Sequence, residues 1–486
     1  MSPALAVRPS FSGREQPPPP LQGVSLHRRP RAATRTLAHL SPEIILHFME
    51  CLPDIATLKS VIRLNKRFYE IFNTHRKGAV LLSVLSNELG EDLSLHAIVV
   101  HQVEKLGLAL PAFDEVSLDG IDAAVDNLRK VRDQVVGLQG SSVRHWSFEI
   151  SIQDADRMSI LAKKISQLSI AFEKDCRTGM SLEFYPLQDS VRYRPITKAE
   201  MTRIKQSMYM FQIFCLFCKN SYLDIKLDDD HLQVDRQTLA ACVHKISHLQ
   251  NRLASQFLAP WELYQVISLQ AWFRRASRDL GLTFFTENEW YLSERITPFI
   301  LAQGIDTMHM GICTLDDKKR HGAYDATTIL KLKASTHAAH GLGMILSRGD
   351  RDGWARTAPG TFEDYKPFLP QKDDEGYRQW RFISTRAATP GPLGAAAPAY
   401  DMMGVTEGML DTWSAALWDS RRWFEMRRTI DERMHPDPWN RITWHWDAFH
   451  VGWRSALDFD MLDGVGHRDG IRTFIVRWIK VLFGRG

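Results

Sequence analysis

The chain has 486 residues, 44% of them hydrophobic, 24% charged and 10% aromatic. That length points to two or three packing units rather than one core. No run approaches the ~20 apolar residues that a bilayer crossing needs. The densest stretch, 208–218, is too short and carries Gln212, so no membrane-embedded protein is expected. The six cysteines, at 51, 176, 215, 218, 242 and 313, form no disulfide framework and suit a reducing compartment, cytoplasmic or nuclear. No charged-then-apolar pair of segments opens the chain, so a secretory signal is not expected either.

Charge is unevenly distributed. Residues 1–36 hold six arginines and one acid, Glu15, together with Pro3, Pro9, Pro17 to Pro20 and Pro30. Removing these from the 61 basic and 57 acidic residues leaves 55 and 56. The body is therefore neutral and offers no electrostatic case for a nucleic-acid surface. The leader has too little apolar material to offset the entropy of ordering and reads as a disordered Arg/Pro-rich segment.

Residues 37–75 carry the most information. Ser41 can cap a helix, Pro42 fits its first position and Glu43 complements its positive end. Ile44, Ile45, Phe48, Met49 and Leu52 then share one face. Pro53 and Asp54 end this helix and start a second, with Ile55, Leu58, Val61 and Ile62. Asn65 can cap a third, with Phe68, Ile71 and Phe72. Three short amphipathic helices have too little interior to hide all these stripes from water. Apolar surface left uncovered usually marks an interface.

The ordered set Leu40-x-Pro42-Glu43-Ile44, Leu52-Pro53-Asp54, Leu58 and Asn65-Lys66-Arg67-Phe68-Tyr69 resembles the F-box as fungal proteins write it. Ser41 stands where that motif often has a second proline. The resemblance covers under a tenth of the chain. It implies a three-helix F-box-like unit that docks on a Skp-type linker protein of a cullin–RING ubiquitin ligase. Leu40, Pro42, Ile45, Phe48, Leu52 and Leu58 are the expected docking residues, some of them doubling as core. A second run, Glu200-x-x-Arg203-Ile204-x-x-x-Met208-Tyr209-x-Phe211, resembles a helix of long fungal F-box proteins, with Gln206 and Met210 where basic residues are common. Trp261-Glu262 after Pro260 and Glu287-x-x-Trp290 are similar to the same group. Together these imply a non-catalytic adaptor that holds an unknown client protein.

The rest of the chain reads as a large, irregular, mainly α body over 76–345. Helices are expected over 79–89, 95–106, 119–136, 154–175, 235–257, 261–280, 287–303 and 325–345, with Trp146 to Ile152 as the best strand candidate. Thr197-x-x-Glu200 and Thr286-x-x-Glu289 are capping boxes. The helix holding Ile204, Met208, Phe211, Cys215 and Cys218 is apolar on nearly all sides and should cross the middle of the core. Residues 346–408 contain eight glycines and six prolines, a loop or linker composition. The part from 409 to 486 is Trp-rich and helical in pattern. Its arginines, Arg421, Arg422, Arg427 and Arg428, suggest either a recognition patch or a solvated face.

No catalytic constellation stands out. Cys215-x-x-Cys218 with His244-x-x-x-His248 has zinc-ligand types, but 25 residues separate the pairs and the cysteines sit in an apolar helix, so core cysteines are expected. His445-x-Asp447 with His450 or His467 has the residue types of an iron triad without the barrel that usually builds one. His337 and His340, one turn apart, decide nothing. The chain lacks GxxxxGK[ST], GxSxG and HExxH motifs. Neither an enzyme, a metal nor a cofactor is expected.

Overall fold

The computed structural model describes residues 40–74, 77–107, 116–140, 150–178, 195–218, 236–282, 301–314, 367–369, 375–378, 417–419 and 421–422. Of these residues 86% are helical and none forms a strand, so the protein is mainly α. Outside them fall the leader, the helix expected at 325–345, the cap at 286–289, most of 287–303 and 346–408, and nearly all of 409–486. The same holds for Trp146, while Ile152 opens a helix rather than closing a strand.

The first three helices are α1 (Pro42–Glu50), α2 (Ile55–Leu64) and α3 (Lys66–Thr74). Their starts follow from local chemistry. Pro42 occupies the first position of α1, but the Ser41 side chain makes no capping bond. Asp54 caps α2 through Oδ1, which accepts from Thr57 N at 2.7 Å. Asn65 Oδ1 accepts from Arg67 N at 2.8 Å and opens α3.

Four longer helices follow: α4 (Lys77–Leu89) and α5 (Glu91–Lys105), which pack on each other, then α6 (Leu118–Gly140), which packs on α5, and α7 (Ile152–Thr178). Then come α8 (Lys198–Cys218), α9 (Arg236–Phe257), α10 (Pro260–Leu282) and the short α11 (Ile305–His309), which runs into one π-helical turn at Met310–Thr314. The expected box at Thr197 is present: Glu200 N donates to Thr197 Oγ1 at 3.1 Å, and Thr197 N to Glu200 Oε2 at 2.9 Å. Ser151 and Asp154 form an equivalent box at α7.

Helix α8 does run through the core, every residue from Arg203 to Phe217 being buried except Lys205 and Gln206. It packs on α5, α7, α9 and α10. Helix α5 shares the centre, with an unbroken buried run from Leu93 to Val103. Two of its polar members are served from nearby. Ser94 Oγ donates to Glu91 O at 2.8 Å and His96 Nδ1 meets Asp92 O at 2.8 Å. His101 Nε2 faces Asp154 Oδ1 at 3.4 Å, without the alignment of a hydrogen bond. At the start of α11 Gly304 has φ +81°, and a Cβ there would fall 2.5 Å from Gln212 Oε1, so glycine is required.

Candidate docking surface

The α1–α3 unit is welded to the body. Helix α1 packs on α3 and α4, and α2 on α3, α4 and α7. Asn87 of α4 donates to Glu50 O and Leu52 O at 2.8 and 2.9 Å. Glu88 accepts from Ile55 N at 3.1 Å and from Ser159 Oγ of α7 at 2.5 Å. Lys59 meets Asp156 of α7 at 2.8 Å, and Arg67 Nη2 donates to Leu40 O at 2.9 Å. One continuous apolar core runs from Ile45 through α8 to Trp418.

These contacts divide the six expected docking residues. Ile45, Leu52 and Leu58 are buried in that core, so their side chains present nothing to a partner. Leu40 and Pro42 are half-buried, Leu40 lying against the core. Phe48 is 38% exposed. A residue outside the expected six, Ile44, is 52% exposed. With one helical turn between them, Ile44 and Phe48 lie on the solvent side of α1 beside His47 and Cys51. Leu64 at the end of α2 and Tyr69 on α3 are exposed as well, at 79% and 57%. The apolar stripe of α1 is therefore two faces: Ile45 and Met49 inward, Ile44 and Phe48 outward.

A second cluster involves the other resembling segment. Glu200, fully buried, accepts from Arg422 through both carboxylate oxygens, Nε to Oε1 at 2.9 Å and Nη2 to Oε2 at 3.0 Å. Oε1 also accepts from Asp419 N at 2.9 Å. Arg203 pairs with Asp419 and donates to Leu417 O at 3.1 Å. The Arg422 guanidinium lies over Trp418 at 5.3 Å, and Trp418 stacks on Phe172 of α7 at 5.9 Å. For Arg422 both sequence expectations fail: it is neither a recognition group nor solvated, because a buried carboxylate needs it as counter-ion. Arg427 and Arg428 lie outside the described residues.

Of the zinc-type residues, Cys215 and His248 serve other partners. The Cys215 thiol is buried and donates to Leu301 O at 3.2 Å. His248 Nε2 meets Asp122 Oδ1 at 3.0 Å, joined by Arg252 Nε at 2.9 Å, and His244 is exposed. Among the described residues no group of three His, Cys, Asp or Glu side chains is placed to hold a metal ion. His337, His340, His445, Asp447, His450 and His467 lie outside them. No described helix is long and apolar enough to cross a membrane.

No family model, curated protein or solved structure matches the chain.

Proposed function

We propose that the protein is a non-catalytic adaptor, docking through the outer side of α1 on a Skp-type linker of a cullin–RING ubiquitin ligase and holding a client protein on its helical body. The observation that carries this reading is the outward pair Ile44 and Phe48, within the segment whose motif order resembles an F-box. Large apolar side chains left in water at adjacent turns are the usual material of an interface core. The adaptor would contribute positioning, since tethering raises the effective concentration of a client beside the charged enzyme. Leu40 and Pro42 would border the contact, while Ile45, Leu52 and Leu58 would support it from beneath.

The test separates outer from inner residues. Ile44→Asp with Phe48→Asp is expected to weaken binding to a recombinant Skp-type linker by roughly a hundred-fold or more, since central apolar anchors each contribute about 2 kcal/mol. Helicity and melting should stay unchanged. Full binding by this double variant removes the docking assignment. A second reading is favoured by the shared core of α1–α3 with the body: a helical scaffold that works outside ubiquitin ligases. It expects no linker binding by the wild-type chain.

A further inference from the structure

Two pieces of the Gly/Pro-rich region, 367–369 and 375–378, fold back on the body. Phe368 lies beside the rings of His96 and Phe257, each 6.2 Å between centroids. Tyr377 stands edge-on to Trp261 at 5.5 Å. Gly376 allows the close approach, since a Cβ there would fall 2.9 Å from the Trp261 ring and 2.7 Å from Gln265 Nε2. Phe368, Leu369 and Tyr377 are all buried. The polar tie is Glu262, only 3% exposed. Its Oε2 accepts from Ala259 N, at the start of α10, and from Phe368 N, both at 2.9 Å.

We propose that these two pieces form a strap latched by Glu262, and that ionisation of this one carboxyl loosens the strap from the aromatic floor of His96, Phe257 and Trp261. An ionised carboxylate is costly to bury, so the closed strap favours the neutral acid and an open strap, admitting water, favours the anion. Burial accordingly pushes the Glu262 carboxyl up to about 8, against the opposing pull of the Ala259 and Phe368 N–H groups and the Arg132 charge. The closed-state value lies above that of a hydrated carboxyl. Opening therefore becomes easier as pH rises from the ordinary carboxylate range to about 8, and levels off beyond it.

Neighbouring groups do not supply the same response. Arg132 of α6, over the Phe257 ring at 5.2 Å, stays cationic. His96 of α5 is held neutral, burial pushing it down to about 4, and burial pushes the Tyr209 hydroxyl of α8 upward. Glu375 and Arg378 on the strap pair with each other at 3.1 Å.

Hydrogen exchange of the full chain, resolved by mass spectrometry to the amides of 368–369 and 375–378 and corrected for the intrinsic pH dependence, tests the latch. Protection should fall by roughly ten- to a thousand-fold between pH 5 and 8, at most tenfold per unit for one proton, then level off. Peptides over 417–422 should keep theirs. Glu262→Gln, whose amide oxygen can accept the same two N–H groups, should hold protection flat with pH. A flat wild-type profile, an equal decline at 417–422, or a Gln variant that still declines or has lost protection throughout would overturn the latch. If the variant does not fold, the wild-type profile with its internal reference decides.

Discussion

Arg422 shows what one residue can hide from a sequence. Its partner Glu200 stands 222 positions upstream, and a pairing at that separation leaves no periodic trace. The arginine reads as surface because Arg421 precedes it and Trp423 follows. What was legible is the other half: Glu200 at the third position of a capping box, used both for its cap and for the distant guanidinium. Removing one member of a buried pair strands the other without hydration. Arg422→Ala should therefore cost about 3–5 kcal/mol in denaturant unfolding, and a loss below about 1 kcal/mol would mean that Glu200 reaches water.

At the scale of the element, helix ends and helix interiors differ in how far sequence reveals them. Caps are local, and the start of α2 was readable from Pro53-Asp54. Even so, two good N-cap residues behave differently: Asp54 accepts from Thr57 N, while Ser41 makes no side-chain bond. Asp54→Ala should cost about 1 kcal/mol and Ser41→Ala close to nothing, measured by urea unfolding; equal losses would contradict the assignment. The two faces of α1 were not readable. Five apolar residues in nine cover too wide an arc for periodicity to say which side faces α4. Only the packing of α3 and α4 separates Ile45 and Met49 from Ile44 and Phe48. The central place of α8 was legible because its apolar residues encircle it. That of α5 was masked by Ser94, His96, His101 and Gln102, polar residues buried along the helix.

For the whole molecule, the helical class follows from patterning, but the joining of its parts does not. The α1–α3 unit reads as a separate small domain, yet Glu88 and Asn87 of α4 and Asp156 of α7 bind it to the body. Helix α7 touches α2, α4, α5, α8 and α11, and near its other end Phe172 carries Trp418. From Asp156 to Phe172 the rise is roughly 24 Å, so α7 is a stiff strut between α2, through Lys59, and Trp418. The proposed adaptor role would draw on such rigidity to hold two partners at a fixed spacing. Deleting 1–75 would uncover the α4 and α7 residues beneath, so an intact chain is the better subject.

Hydrogen exchange of the intact wild-type chain, alone and with a saturating recombinant Skp-type linker, addresses the adaptor reading most directly. Slowed exchange confined to peptides over 40–51 and 64–69 is the expected result. Unchanged exchange across 40–74, with or without slowing elsewhere, would contradict it.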